Sequence, residues 1–334
     1  MKMRKTVLSM LLAALFLLPA CGRALAGTTV ADTASDAAEK PVLRVMSLKG
    51  PTSMGLVKLA EDNEKGLTEN RYSLAMVTAA DEVTAALVSG KVDVAFLPAN
   101  AAAALYNKAG GFKIAAVNNL GVLHLVENGD SIQHFTDLEG KTVYLTGKGT
   151  TPEYALWYLL AACGLEQKVT LEFKSEAAEV VAALSSDAAA IGLLPEPFVT
   201  TALMQNDALR RALDLNQIWE ELSGESALVT GVCVIRDDLL SAQPDAVKTF
   251  LKEFEASLDY SNAEPQAAAE KIAAMGIVGK AAIAEKALPG CSLQYIDGST
   301  MKTLVSGYLK TLYDQNPAAV GGKLPDDDFW YIYE

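Results

Sequence analysis

One arrangement occurs twice in this chain. A short apolar run, a turn rich in glycine and hydroxyl residues and then a helical stretch appear as VLRVMSLKGPTSMGLVKLA from residue 42. They appear again as KTVYLTGKGTTPEYALWYLL from residue 141. A second motif behaves the same way: VDVAFLPAN at 92–100 is echoed by AAAIGLLPEPFVTTAL at 188–203. Gly149 follows Gly50 by 99 residues and Pro195 follows Pro98 by 97. Two features returning at nearly one offset predict two related lobes rather than one continuous sheet. Short strands alternating with helical stretches predict α/β layering around mostly parallel strands.

The 334 residues, 51% hydrophobic, suffice for a substantial core at a length where chains often divide in two. Lys and Arg number 28 against 41 Asp and Glu, a formal charge of −13. Lys2, Arg4 and Lys5 sit in the first five residues, leaving 25 bases against 41 acids in the remainder. Such a surface repels phosphate backbones and anionic membranes, so nucleic acid is excluded as a partner.

The amino terminus reads as an export signal over 1–20: MKMRK is the positive region and TVLSMLLAALFLLPA the apolar one. That run is short for a spanning helix, and no later stretch reaches eighteen unbroken apolar residues. LPAC at 18–21 resembles the lipobox of bacterial lipoproteins, with Cys21 as the residue to be lipidated; ALA at 24–26 offers a competing cleavage site. The expectation is a lipid on Cys21, a small polar tether over 21–40, and a protein held on the outer face of the cytoplasmic membrane or in the periplasm. Cys163, Cys233 and Cys291 remain, without CxxC spacing and with only His124 and His134 for company, so neither a metal site nor a disulfide framework is expected. A single disulfide stays open, with its pair unassigned.

The chemistry concentrates at strand ends. GPTSM (50–54) puts Thr52 and Ser53 beside the free amides of a helix start, and TGKGTTPE (146–153) does so with Thr150, Thr151 and Pro152. Asn100 and Glu196 stand at the ends of their own strands. Any one of these residues reads equally well as a simple helix cap. Four such places, two in each proposed lobe, predict a ligand cleft outside the carboxyl ends of the strands. Catalytic patterns do not match: the glycines around Ser53 are misplaced for a nucleophile elbow, GKT at 140–142 lacks the earlier glycine of a phosphate loop, and no base accompanies a nucleophile. His124 between leucines reads as core or inter-lobe, His134 as a surface loop, and Asp326–Asp328 as a solvated run.

An exported chain with two α/β lobes resembles the solute-binding proteins of ABC importers, in particular the group associated with nitrate, sulfonate, taurine and thiamine-precursor uptake. The pieces that carry the resemblance are GPTSMG, ADEVTAALVSGKVDVAFLPAN, LEGKTVYLTGKGTTPEYALWYLL, LLPEP and GGKLPDDDF. It implies a two-lobed periplasmic-binding-protein type II fold, with lobe 1 formed by 41–126 and 233–334 and lobe 2 by 127–232. It also implies hinge strands at VLHLVE and GVCVIR. The chain beyond 238 reads as helical with no strand series of its own, a block expected to pack back on the first lobe. By position, the first lobe would line the cleft with Ser47, Gly50, Thr52, Ser53, Met54, Thr78 and Asn100. The second would add Thr146, Gly149, Thr150, Thr151, Tyr154 and Glu196. The backbone amides at 52–54 and 150–152 would donate to the ligand. The implied partners are a small solute, a permease and its ATPase, with no cofactor, no catalysis and a monomeric state.

The solute class follows from charge. No arginine of the folded body (44, 71, 210, 211, 236) lies in a candidate turn, and only Lys49 and Lys148 are near. A carboxylate at 196 disfavours a dense anion unless it is paired. The expectation is therefore a neutral or weakly charged organic solute, heteroaromatic in one version, with Met54 and Tyr154 as apolar walls. A sulfonate or nitrate is the competing ligand, and a thiamine-pyrimidine-synthase-like enzyme the competing class.

Overall fold

The computed structural model describes residues 40–223 and 226–333; the expected leader, Cys21 and the tether through 39 lie outside them. The apolar runs form strands β1 (Val42–Leu48), β2 (Arg71–Val77), β3 (Val94–Pro98), β4 (Phe112–Asn119), β5 (Leu123–Asn128), β6 (Thr142–Leu145), β7 (Thr170–Phe173), β8 (Ile191–Pro195), β9 (Leu209–Asp214), β10 (Gly231–Arg236) and β11 (Leu293–Ile296). They make two sheets, one ordered β11-β4-β10-β3-β1-β2 and the other β7-β6-β8-β5-β9. The repeated motifs occupy matching places. β1 pairs in parallel with β2 and β3, and β6 in parallel with β7 and β8. The expected two-lobed α/β architecture is the one observed.

The sheets are mixed rather than mostly parallel. β10 runs antiparallel to β3 and β4, β11 antiparallel to β4, and β5 antiparallel to β8 and β9. The cause lies in where the chain changes sheets. β3, β4 and β8 finish at one rim, so a strand that begins there must run back against them. β5 begins with Leu123 opposite Pro195, and β10 with Gly231 opposite Pro98 and Asn119. The VLHLVE and GVCVIR runs are accordingly interior strands of one sheet each. The crossings are the short segments 120–122 and 226–230, a few residues from the expected boundaries at 126/127 and 232/233.

Thirteen α-helices are described: α1 (Pro51–Met54), α2 (Val57–Glu64), α3 (Ala80–Val88), α4 (Ala99–Ala109), α5 (Thr151–Ala162), α6 (Ala177–Ser186), α7 (Phe198–Gln205), α8 (Leu215–Ser223), α9 (Asp237–Ala242), α10 (Pro244–Ala263), α11 (Pro265–Ala274), α12 (Ala281–Ala287) and α13 (Gly298–Gln315). Pro51, Pro152, Pro244 and Pro265 stand in first turns, where a missing N–H costs nothing. One outer face of the first sheet is covered by α10, α11 and α12, with Phe96, Phe250 and Phe254 at its centre. The carboxyl-terminal block does more than pack on the first lobe. α13 packs on α4 and β4 but also on α5, and α12 packs on α7. A single apolar cluster thus runs from Leu97 and Ala102 through Tyr308 to Leu156 and Leu159. All three cysteines of the body are free.

Trp219 of α8 is the seam of that cluster. It is fully buried, its ring lies 4.3 Å from that of Tyr158 and 5.6 Å from that of Tyr308, and its indole N–H donates to Ser226 Oγ at 3.3 Å. Trp219→Ala should therefore lower stability by about 3–5 kcal/mol, read as a shift of the urea unfolding midpoint.

Candidate binding cleft

Each jaw is a turn that the sequence forces. Gly50 has φ +120°, open only to glycine, and lets the chain leave β1 and enter α1 without a bulge. On the other side Gly147 accepts, through its carbonyl, bonds from Thr150 N and Oγ1, and these shape the entry to α5. Both turns face one cavity of about 210 Å³, whose walls include Leu48, Thr52, Asn119, Thr150, Glu196 and Thr230. Five prolines complete it: Pro51, Pro98, Pro152, Pro195 and Pro197. Proline closes strands and has no N–H, so a wall built from it is apolar yet leaves no orphaned donor.

The expected site residues divide by location. Gly50, Thr52, Thr150, Thr151 and Glu196 line the cavity together. Asn100 lies one layer behind, buried, where its Oδ1 accepts from Thr151 Oγ1 at 3.4 Å. Ser47, Ser53 and Met54 point into the first lobe: Ser53 donates to Leu48 O and Ser47 Oγ, and Met54 is part of the core. Thr78 and Gly149 are exposed, Thr146 is half-buried outside the lining, and Tyr154 faces a separate depression beside Trp157 and Asn316. The apolar walls are therefore prolines with Leu48, Val122 and Phe198, in place of Met54 and Tyr154. Of the amides expected to donate, those of Ser53 and Thr150 are already bonded to Gly50 O and Gly147 O, Pro152 has no N–H to give, and that of Thr52 belongs to a single turn of helix.

Sequence reasoning missed Asn119, Val122, Pro197, Phe198 and Thr230. The signal was present in part: VNN closes an apolar strand with two amides, and LPEP puts proline on both sides of a carboxylate. What hid Asn119 and Thr230 is that they lie 111 residues apart and meet only because β4 and β10 pair.

Glu196 is paired, which the absence of arginine from the turns did not foretell. Arg211 arrives from β9, and its guanidinium donates to the Glu196 carboxylate, which also accepts from Thr200 N and Oγ1 at 3.1 Å. Burial pushes the Glu196 carboxyl upward, while Thr200 and Arg211 pull it back. The carboxylate caps α7 and neutralises Arg211, so it is engaged before any ligand arrives. Behind it, His124 is buried with Nδ1 3.8 Å from Asp214. Burial lowers its pKa from 6.5 to about 4, against the pull of Asp214 and with Arg211 adding to the depression. His134 is exposed at the start of a 3-10 turn. Among the described residues no group of three His, Cys, Asp or Glu could hold a metal ion, and no helix is long and apolar enough to cross a membrane.

Residues 58–286 match the family model described as menaquinone biosynthesis, over more than half the chain. The chain belongs to that family. Among solved structures, an ABC transporter from Parabacteroides distasonis is 25% identical, with a TM-score of 0.75, over 88% of this chain and 100% of that one. The periplasmic aliphatic sulphonate binding protein SsuA from Escherichia coli is 16% identical, with a TM-score of 0.68, over 88% and 94%. The alkanesulfonate-binding protein SsuA from Xanthomonas axonopodis pv. citri, bound to MOPS, is 18% identical, with a TM-score of 0.62, over 87% and 96%. The fold is that of the type II periplasmic binding proteins. No curated protein matches the chain.

The His124 site yields a pH prediction with a definite sign. A histidine neutral in the fold down to about pH 4 but protonated below 6.5 when unfolded makes the unfolded state bind more protons in that window. Its contribution to stability is whole above pH 6.5 and is lost as pH falls toward 4. The melting temperature of wild type should therefore fall more steeply between pH 6.5 and 4 than that of His124→Leu, measured in parallel scans.

Proposed function

We propose that this protein is the extracytoplasmic solute-binding component of an ABC import system. Its cleft captures one small organic solute, neutral or weakly charged, and presents it to a permease driven by an ATPase. One observation carries the reading. The GPTSM and GKGTTP turns, with Thr52 and Thr150 separated by 98 residues, both contribute to the wall of a single proline-rich cavity. Clefts of this kind, mostly apolar with a few placed polar groups, are the usual form of a small-molecule site. Engagement of Glu196 by Arg211 and Thr200 further supports a site that selects by shape and hydrogen bonding. The crossings at 120–122 and 226–230 are the proposed hinge, where small backbone rotations would open the jaws. Lipidation of Cys21 after removal of 1–20 would tether the protein outside the cytoplasmic membrane, as a monomer. Cys21→Ala should then release it from the membrane fraction on osmotic fractionation.

The family description favours a second reading, in which the cleft serves menaquinone biosynthesis, by catalysis or by supplying a precursor. A nitrate or sulfonate ligand is a variant of the first reading. The titratable side chains on the cavity wall are Lys49 and Glu196, and the second is already engaged, so the binding reading is preferred over a catalytic one. Thr52→Trp and Thr150→Trp should each cut cellular uptake of the solute at least tenfold while leaving circular dichroism unchanged. Deletion of the gene should leave menaquinone content, read by liquid chromatography, at the wild-type level. A fall in menaquinone that no external solute repairs would establish the biosynthetic enzyme instead.

A further inference from the structure

The floor of the cleft holds buried polar atoms with no protein partner. Asn119 is 0% exposed and lines the cavity, yet neither its Nδ2 nor its Oδ1 is bonded. Thr230 lines the same cavity, and its buried Oγ1 is also unpartnered. Beside them Asn118 donates its Nδ2 to Thr52 O at 3.2 Å, which fixes its amide orientation and leaves Oδ1 as an unpartnered acceptor. The two amide oxygens converge over Gly231, where a Cβ would stand 2.1 Å from Asn119 Oδ1 and 2.6 Å from Asn118 Oδ1. Only glycine leaves room for them.

Leaving such groups unpaired in a folded protein is costly. A ligand that satisfies them is favoured, and an analogue lacking the matching group is strongly rejected. Whichever way the Asn119 amide is turned it offers an N–H donor group and a carbonyl acceptor, and Thr230 adds a hydroxyl. Nitrate and sulfonate oxygens only accept, so they leave the Asn119 carbonyl oxygen unsatisfied. We infer that Asn119 and Thr230 read the ligand at the cleft floor and that the ligand is an uncharged compound presenting N–H or O–H donors beside an acceptor, as an amide or cyclic amide does. This inference rests on the cleft being the ligand site. Gly231 is the positioning residue that lets the amides converge.

The test is a calorimetric titration of the full-length protein with uracil, 2-pyrrolidone and nicotinamide as neutral amides, and with nitrate and methanesulfonate as acceptor-only anions. At least one amide should bind and neither anion should. Asn119→Leu should weaken that amide at least tenfold, and Thr230→Val several-fold. The amide-against-anion preference is read on wild type, so a poorly folding variant leaves the test intact. Binding of an anion, no binding of any amide, or an Asn119→Leu affinity within twofold of wild type overturns the inference. Thr52→Trp separates the two levels. If an anion binds and Thr52→Trp abolishes it, the cleft stands and the donor requirement falls. If an amide binds and Thr52→Trp leaves it unchanged, the cleft itself is the wrong site.

Discussion

The close approach of Gly231 to Asn118 and Asn119 is the constraint on which the rest of this structure turns. The two chain crossings meet there: Thr230 N donates to Asn119 O at 3.2 Å and Thr230 O accepts from Ala99 N at 3.4 Å. That knot brings the ends of β3 and β4 and the start of β10 to one point. Because β1, β3, β4, β6 and β8 end at this rim and β5 and β10 begin there, the chain segments at those ends line one cavity. A side chain at 231 would part β10 from β4 and move the cavity floor with it.

Charge follows from the same packing. Glu196 lies at the end of β8 under the loop that carries Gly290, where a Cβ would stand 3.1 Å from Glu196 Oε1. Burial there is tolerable because Arg211 from β9, across β5, and Thr200 from α7 satisfy the carboxylate. Arg210, one residue earlier, does the same for the buried Glu127. Successive residues of β9 thus secure two buried acids of the second sheet, one beside the cleft and one at the far end of β5. His124 sits between them in the same sheet, and burial outweighs Asp214 to keep it neutral.

Much of the fold was legible because local chemistry and periodicity repeat. Strand, Gly/Thr turn and helix can be read from VLRVMSLKGPTSM and KTVYLTGKGTTPE alone, since apolar runs, glycines at positive φ and prolines in first turns act within a few residues. The cleft was legible to the extent that it is built from such turns, as with Gly50, Thr52, Thr150, Thr151 and Glu196. Side-chain direction was not. Ser53 and Met54 are neighbours of Thr52, but one turn of helix rotates them into the first lobe. Tyr154 lies a single turn beyond Thr150 and faces away. Strand direction also escaped, because whether β5 and β10 run with or against their neighbours depends on which rim the chain enters.

The sequence by itself therefore determined that this chain makes two α/β lobes with paired polar turns, because each of those features is stabilised by contacts between residues close along the chain. Only the tertiary structure decided what meets at the cleft floor. Asn119, Thr230 and Gly231 come together through the pairing of β4 with β10, and Arg211 reaches Glu196 because β9 and β8 flank β5. Those contacts join residues brought together by sheet order. Sheet order is set by burying a core that spans both lobes, and no local run of residues records it.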